Sequence, residues 1–283
     1  MINRRKSKEI SIGNVKIGNG NPISVQSMCN TDTRDVNATC NQIKELADKG
    51  CEIIRLAVLN TEAADAIKEI VKKSTVPLVA DIHFDYKLAI KCINNGINAL
   101  RLNPGNIGKR ENVEAVVRLA KQQQIPIRIG VNAGSLEKEL LEQNIPLSEK
   151  MVISAMKHIQ ILEDLNFDLI KVSLKSSDVM TTIEAYRSIA GKIPYPLHLG
   201  VTEAGTLRGG LIKSSVGLGT LLAEGIGDTI RVSLTENPVE EVSAGFDILK
   251  SLNLRERGVN FVSCPTCGRT QIDLISLAKK VEE

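Results

Sequence analysis

Eight apolar runs recur along the chain at intervals of about 20 to 40 residues, and each is followed by a segment in which apolar residues have helical spacing. This alternation predicts parallel βαβ units, because each helix returns the chain to the same end of the sheet. Eight such units predict an α/β fold of the TIM (β/α)8 barrel type, which typically takes about 250 residues. The helical segments are predicted at 35–49, 61–73, 85–95, 111–123, 148–166, 178–190, 207–224 and 239–252.

The two ends of the chain differ from this repeating pattern. Residues 10–20 alternate around three glycines and predict a short hairpin that plugs the bottom of the barrel. A charged stretch ending at Gly258 is typical of a domain boundary. The sequence therefore predicts a barrel over residues 1–258 and the beginning of a small second domain over 259–283.

Composition excludes several classes of protein. Aromatic residues make up 2% of the chain, Trp is absent and the formal charge is +3, which argues against nucleic-acid binding. The basic start lacks an apolar signal region, and no run approaches the roughly 20 apolar residues of a membrane span. A cytoplasmic protein is expected. Six cysteines without a secretion signal favour reduced thiols or metal ligands over disulfides.

Polar residues stand at or just after the ends of the predicted strands. Active sites of TIM barrels lie at the carboxyl ends of the strands, so these residues are candidate functional groups. An unpaired arginine in a buried strand costs several kcal/mol, which predicts a shared anionic partner such as a substrate. The candidates are Arg55, Asp81, His83, Arg101, Asn103, Arg128, Asn132, Lys171, Ser173, His198, Glu203, Arg231 and Ser233.

The segment after the boundary contains Cys264 and Cys267 in a Cys-x-x-Cys turn. Such a turn suits zinc, an iron–sulfur cluster or a redox disulfide. Zinc and cubane clusters need about four ligands, yet no Cys or His follows Cys267, so the ligand set is incomplete. The remaining cysteines are predicted to be small buried residues rather than ligands; they are Cys29, Cys40, Cys51 and Cys92.

Seven ordered motifs together resemble one enzyme family along the whole chain, the bacterial 4-hydroxy-3-methylbut-2-en-1-yl diphosphate synthases. They begin with Val-Gln-Ser-Met at 25–28, Asp-Ile-His-Phe-Asp at 81–85 and Leu-Arg-Leu-Asn-Pro-Gly-Asn at 100–106. Arg-Ile-Gly-Val-Asn at 128–132 and His-Leu-Gly-Val-Thr-Glu-Ala-Gly at 198–205 follow. The last are Gly-Asp-Thr-Ile-Arg-Val-Ser at 227–233 and Cys-Pro-Thr-Cys-Gly-Arg at 264–269.

The resemblance implies an oxidoreductase of the non-mevalonate isoprenoid pathway. Such an enzyme reduces 2-C-methyl-D-erythritol 2,4-cyclodiphosphate and opens its ring with loss of water, using electrons from flavodoxin or ferredoxin. The family's [4Fe-4S] cluster is held by three cysteines and a glutamate in a small C-terminal domain, which caps the barrel of the partner subunit in a homodimer. Cys264 and Cys267 match the first two cysteines, and the other two ligands are not found before Glu283, so a truncated chain is expected.

The resemblance also suggests roles for the candidate residues. Guanidinium groups bind phosphoryl oxygens in a bidentate manner, so Arg55, Arg101, Arg128, Arg231 and Lys171 are expected to clamp the diphosphate, although any one arginine could instead pair within the protein. Asn103, Asn132, Ser173 and Ser233 would add neutral donors, and His198 is expected in the pocket. Glu203, Asp81 and His83 are the candidates for proton transfer. His158 lies within a helical segment and is predicted to be on the surface.

Two other functions remain compatible with the sequence. One is a non-redox TIM-barrel transferase of the pterin-synthase type, in which the cysteine pair belongs to a zinc knuckle. The other is a truncated paralogue that binds a ligand without catalysing a reaction. Iron content and colour of anaerobically purified protein would separate the first of these from the iron–sulfur enzyme.

Overall fold

Strands and helices alternate regularly between residues 24 and 251. The computed structural model describes residues 2–259 and 262–282. The described residues leave out Met1 of the predicted barrel domain and Asn260, Phe261 and Glu283 of the predicted second domain. The strands are β1 (Ile10–Ile12), β2 (Val15–Ile17), β3 (Ser24–Met28), β4 (Ile53–Ala57), β5 (Leu78–Asp81), β6 (Ala99–Arg101), β7 (Ile127–Asn132), β8 (Ile170–Lys175), β9 (His198–Leu199) and β10 (Thr229–Ile230).

Helices follow the barrel strands, with short 3-10 turns at Pro104–Asn106 and Ala133–Ser135. The α-helices are α1 (Val36–Asp48), α2 (Thr61–Lys73), α3 (Tyr86–Asn94), α4 (Arg110–Gln122), α5 (Lys138–Leu141), α6 (Leu147–Asp164), α7 (Val179–Ala190), α8 (Leu207–Ala223), α9 (Pro238–Ser251) and α10 (Leu274–Glu282). The predicted helical segments agree with these bounds to within one or two residues. The short α5 was not predicted.

Strands β3 to β10 form one 8-stranded parallel sheet in the spatial order β8-β7-β6-β5-β4-β3-β10-β9. A parallel bridge between Val172 of β8 and Leu197, just before β9, joins the two ends of this sheet. The predicted TIM barrel is therefore confirmed. Its closure brings the carboxyl ends of all eight strands to one rim.

The outward faces of the strands pack against the helices and form the larger hydrophobic core. Ile54, Leu100, Ile129 and Val172 are fully buried there, each worth about 1.5–3 kcal/mol of hydrophobic stabilisation relative to exposure. Helix starts are capped by side chains as the sequence predicts: Asp35 accepts a hydrogen bond from the Ala38 N–H at 3.0 Å. Such a cap stabilises a helix by about 1 kcal/mol.

The antiparallel β1–β2 hairpin closes the amino-terminal end of the barrel, as predicted. Ile10, Ile12 and Ile17 pack against inward-facing residues at the starts of three strands, namely Ile53, Val79 and Ala99. Within the part of the chain that the structure describes, this apolar floor closes the amino-terminal end of the barrel and leaves the opposite end for ligands. It also leaves the inward residues further along each strand free to be polar.

The segment at 262–282 carries little packing. Val262 is 85% exposed, and Ile272, Ile275 and Val281 in and near α10 are also exposed. Among the described residues, no helix combines the length and the apolar character that a bilayer span requires.

Candidate active site

The interior of the barrel above its floor is lined by polar side chains. Strand pairing places every second residue on the inward face, and Arg101, Arg128 and Lys171 are neighbours in register on β6, β7 and β8. Such an interior is unusual, since bulky aliphatic residues dominate most TIM barrels. The same face carries Gln26, Arg55, Asp81, Ser173, Lys175, His198, Thr229 and Arg231.

Asp81, at the end of β5, lies at the centre of one ion-pair cluster. Its carboxylate lies 3.5 Å from Arg55 Nε, 3.2 Å from Arg101 Nη1 and 3.6 Å from His83 Nε2. Burial raises the pKa of the Asp81 carboxyl, but Arg55, His83, Arg101 and Arg128 outweigh burial and hold this pKa well below its usual range. A carboxylate so firmly ionised anchors arginines well and donates protons poorly. The geometry thus favours an anchoring role for Asp81 over the predicted proton transfer.

Arg101 and Asn103 both bind the backbone of the neighbouring strand β7. Arg101 Nη2 donates to the Gly130 carbonyl at 2.8 Å, and the Asn103 amide donates to that carbonyl at 3.0 Å and accepts from the Gly130 N–H at 2.8 Å. A Cβ at position 130 would stand 2.5 Å from Arg101 Nε, so a side chain there would displace Arg101. Asn103 thereby braces β6 against β7, and its role as a donor to phosphate stays a prediction.

Arg231, after β10, pairs with a glutamate that sequence reasoning missed. Glu241 of α9 is 3% exposed and accepts from Arg231 Nε at 3.2 Å and Nη2 at 3.3 Å. A signal was available, because Glu241, Gly245 and Leu249 form an i, i+4, i+8 row on the buried face of α9. Asp81 and Glu241 thus already pair with three of the predicted clamp residues, Arg55, Arg101 and Arg231, and the anion that these arginines are expected to share stays a prediction.

Arg128 and Lys171 lack a carboxylate partner among the described residues. Arg128 Nη1 donates to Ser173 Oγ at 2.6 Å, while its Nε and Nη2 have no protein partner. Lys171 is 2% exposed, and its Nζ is also without a protein partner. Burial, reinforced by neighbouring cations, lowers the pKa of both groups well below their usual range. Two buried cations with free hydrogen-bond donors are a strong attraction for an anion.

Lys175, the last residue of β8, is a further cation that sequence reasoning missed. It is 6% exposed, and burial together with Arg128, Arg231 and Arg55 lowers its pKa well below the usual range. The alternation of Lys171, Ser173 and Lys175 on one strand would have revealed it, because residues two apart share a face.

His198 lies inside the barrel, fully buried, with Nδ1 hydrogen-bonded to Thr229 Oγ1 at 2.7 Å and Nε2 without a protein partner. Burial, followed by Lys175 and Arg128, lowers the pKa of His198 well below its usual range, so the imidazole is neutral. His158, by contrast, corrects a prediction. It is 4% exposed, and its Nδ1 accepts the Gly105 N–H at 3.1 Å, because the loop after β6 folds onto α6.

The other predicted residues lie on the rim. Asn132 ends β7 and Ser233 follows β10, both half-buried, while His83 is exposed after β5. Glu203 is exposed on the loop after β9, and its backbone has a φ of 51°. A left-handed conformation is strained for a glutamate, and such strain often marks functional loops.

Three of the four cysteines predicted to be buried are so, whereas Cys40 on α1 is only half-buried. Cys29, Cys51 and Cys92 are buried, and burial raises the pKa of each to about 12, which makes them inert. Cys264 and Cys267 are exposed, and hydrogen bonds from Arg269 lower the pKa of Cys267.

The thiols at 264 and 267 suit metal ligation but supply only two ligands. No group of three or more Cys, His, Asp or Glu side chains with metal-binding geometry occurs within residues 2–259 and 262–282. A cubane cluster needs about four ligands. The residues described thus do not by themselves fit a complete [4Fe-4S] site.

Comparison with solved structures supports the barrel. A dihydropteroate synthase from Stenotrophomonas maltophilia superposes with a TM-score of 0.65 at 12% identity, over 87% of this chain and 97% of that one. The Yersinia pestis dihydropteroate synthase gives a TM-score of 0.63 at 10% identity, over 87% of this chain and 98% of its own. At such identity the likeness concerns the fold alone.

Comparison with sequences identifies the family. The model of the GcpE TIM-barrel domain matches residues 7–246. The 4-hydroxy-3-methylbut-2-en-1-yl diphosphate synthase (flavodoxin) of Geobacter sulfurreducens is 60% identical over 99% of this chain and 80% of its own length. The enzyme of the same name from Dehalococcoides mccartyi is 61% identical over 100% of this chain and 81% of its own length. The chain therefore belongs to the 4-hydroxy-3-methylbut-2-en-1-yl diphosphate synthase family of enzymes.

Proposed function

We propose that the barrel binds 2-C-methyl-D-erythritol 2,4-cyclodiphosphate at its carboxyl-terminal mouth and that the enzyme reductively dehydrates it to 4-hydroxy-3-methylbut-2-enyl diphosphate. The observation that carries this proposal is the excess of buried positive charge. Arg128, Lys171 and Lys175 have no ion-pair partner among the described residues. A cyclic diphosphate brings two negative charges and many acceptor oxygens, which match these free donors.

The ion pairs already present support this role by fixing the remaining cations. Asp81 orients Arg55 and Arg101, and Glu241 holds the guanidinium of Arg231 at two nitrogens. Each arginine keeps further N–H groups beyond those used within the protein. The site therefore combines three fixed arginines with one arginine and two lysines that lack a carboxylate partner among the described residues, so that little reorganisation is needed when the anion enters.

Glu203 is the proposed proton donor for the departing oxygen. Loss of water requires protonation of a hydroxyl or alkoxide, and a carboxyl group on a loop over the barrel mouth can supply that proton when substrate excludes solvent. The position of Glu203 after β9 and its left-handed backbone support this role. Asp81 is a weaker candidate, because neighbouring arginines keep it ionised.

The reaction takes up two electrons, which the resemblance assigns to a [4Fe-4S] cluster. Cys264 and Cys267 are the proposed ligands from this chain, and the described residues offer no further pair to complete the set. Flavodoxin is the proposed electron donor, since the relatives carry that word in their names, with ferredoxin as the alternative. A homodimer that works in the cytoplasm completes the proposal.

Isothermal titration with the cyclic diphosphate tests the binding step without any cluster. Wild-type protein is expected to bind it, and 2-C-methyl-D-erythritol 4-phosphate, which has one phosphate on the same skeleton, is the matched control. The monophosphate should bind at least about tenfold more weakly, a difference of about 1.4 kcal/mol. Absence of binding by the cyclic diphosphate would overturn the proposal.

A further inference from the structure

The seam where the barrel closes contains an inserted tyrosine hydroxyl. Val172 of β8 donates its N–H to the Pro196 carbonyl at 3.0 Å, as in an ordinary parallel ladder. The next ladder bond would join the Leu174 N–H to the His198 carbonyl. Instead, the hydroxyl of Tyr186, from α7, accepts the Leu174 N–H at 3.1 Å and donates to the His198 carbonyl.

The ladder resumes beyond the tyrosine. Thr202 donates its N–H to the Ser176 carbonyl at 3.1 Å, but just before that level the Ser176 N–H bonds to Thr182 Oγ1 of α7 at 3.1 Å instead of to β9. The direct ladder is therefore interrupted from Leu174 to Ser176, and the Tyr186 hydroxyl fills the gap at its first position. The hydroxyl satisfies both buried backbone groups, which would otherwise be left unpaired.

Two side chains of the candidate active site, Lys175 and His198, lie beside this interrupted part of the seam. The Nζ of Lys175 lies over Gly200, where a Cβ would overlap it. The His198 imidazole projects from the other side of the same seam into the barrel. Lys175 directly follows Leu174, whose N–H the Tyr186 hydroxyl accepts. His198 itself receives the other hydrogen bond of that hydroxyl at its backbone carbonyl.

We propose that Tyr186 is a positioning residue, whose hydroxyl sets the separation of β8 and β9 so that Lys175 and His198 point at the anionic substrate. This inference rests on the proposed substrate. Tyr186 is itself fully buried outside the barrel interior and acts through Lys175 and His198. The charged groups that act on Lys175 are Arg128, Arg231, Arg55 and Glu241.

Tyr186→Phe removes the hydroxyl while keeping the ring. The matched control is Tyr195→Phe, which removes a buried hydroxyl that donates to Glu163 at 2.6 Å near the floor of the barrel. Titration calorimetry with the cyclic diphosphate is expected to show at least tenfold weaker binding for Tyr186→Phe and unchanged binding for Tyr195→Phe. The dependence of Kd on pH should also become shallower in Tyr186→Phe alone, because Lys175 no longer faces the ligand.

Three outcomes are separable. Failure of the wild type to bind would overturn the proposed substrate, whereas a Tyr186→Phe variant with wild-type Kd and pH dependence would overturn only the role of Tyr186. In a Lys175→Met background the further effect of Tyr186→Phe should shrink to less than about threefold, since additivity fails for coupled residues; a full tenfold loss there contradicts the proposal.

A measurement on the wild type covers the case of a variant that does not fold. If ligand binding depends on the two hydrogen bonds of the Tyr186 hydroxyl, to Leu174 and His198, then bound ligand must in turn stabilise those hydrogen bonds, because linkage is reciprocal. Hydrogen exchange of the Leu174 amide should therefore slow at least tenfold with saturating cyclic diphosphate, relative to the Ile54 amide on the far side of the barrel. Equal changes at the two amides would refute the inference.

Discussion

The Glu241 carboxylate holds the Arg231 guanidinium at two nitrogens, and it also accepts the Ser27 hydroxyl at 2.9 Å and the Leu234 N–H at 3.1 Å. Four donors on one buried carboxylate fix its position and therefore that of the arginine. Arg128 has no such anchor, since its side chain reaches only a serine hydroxyl. The site thus contains an arginine held by the protein and another held ready for a ligand, so removing the Glu241 anchor should lower the stability of the ligand-free protein, whereas removing Arg128 should raise it.

Glu241→Gln should destabilise the ligand-free protein by about 3 kcal/mol, because it leaves Arg231 as a buried charge without a carboxylate. Glu240→Gln is the control, since Glu240 is an exposed neighbour on the same helix. Chemical denaturation measures both. The loss should be smaller with saturating cyclic diphosphate, which offers Arg231 another anion; an equal loss with and without ligand would contradict a shared site.

Arg128→Met should stabilise the ligand-free protein, because an apolar residue of similar length replaces a buried cation without an ion-pair partner among the described residues. Such replacements are neutral or stabilising by about 1–4 kcal/mol. Binding of the cyclic diphosphate should weaken by about 1.5–3 kcal/mol, roughly 10- to 150-fold. Thermal unfolding and titration calorimetry check the two effects.

Arg187→Met serves as the control for Arg128. Arg187 pairs with Glu224 on the surface, at about half exposure, so its loss should change stability by less than about 1 kcal/mol and leave binding intact. The same binding loss is expected for Arg231→Ala. Unchanged affinity in both Arg128→Met and Arg231→Ala would rule out the arginine clamp.

Stability and binding should depend on pH in opposite ways. Burial lowers the pKa of Lys171 and Lys175 well below their usual 10.5 and that of His198 well below its usual 6.5, so the unfolded chain binds more protons than the folded one. The stability of the ligand-free protein should therefore rise with pH, through 6.5 for the histidine and up to 10.5 for the lysines.

An anionic ligand raises these pKa values again, so binding should take up protons and tighten as pH falls. Calorimetry in buffers of different ionisation enthalpy counts the protons directly. The comparison variant is Lys121→Met, a surface lysine of α4 that donates to the Asn166 carbonyl; it should leave the proton uptake unchanged, whereas Lys175→Met should reduce it. Zero uptake in the wild type would mean that the lysines are already charged before the ligand binds.

Sequence pattern was sufficient for the fold because the signals are local. Apolar runs of strand length and helix caps such as Asp35 and Asp178 specify the individual strands and helices. Eight successive βα units are the number that closes into a TIM barrel. The predicted hairpin plug follows from the same alternation. The short helix α5 escaped prediction because four residues carry too little periodicity to separate a helix from a turn.

The sequence predicted many of the residues of the site but not the contacts between them. Residues at strand ends were found, but their pairing depends on which neighbours the sheet register brings together, and that information is not local. Glu241 was missed because it comes from a helix rather than a strand, and the bridging of Leu174 and His198 by Tyr186 depends on a gap in one ladder. His158 was misplaced because the loop contact that buries it joins residues 53 apart in sequence.

The exposed cysteine pair should bind iron weakly in the 283-residue polypeptide. Two thiolates supply about half of the four ligands of a cubane cluster, and the described residues place no third candidate ligand beside them. Anaerobic reconstitution followed by gel filtration is expected to leave well under four irons per chain, and Cys264→Ser should remove what remains. Near four irons after the column would require ligands other than the groups described.

Glu203→Gln should separate binding from catalysis. The amide keeps the size of the side chain but cannot donate the proton that a departing oxygen needs. In a version of the enzyme that carries a complete cluster, turnover with reduced flavodoxin should therefore fall at least about a hundredfold. Affinity for the cyclic diphosphate should change by less than about threefold, because Glu203 stands on the exposed loop after β9 and not among the cations of the barrel. Glu236→Gln, on the exposed loop after β10, is the matched control and should leave both quantities near wild type. If Glu203→Gln turned over at the wild-type rate, the proton would have to come from another group, and His83, exposed beside the same mouth, would be the next to replace.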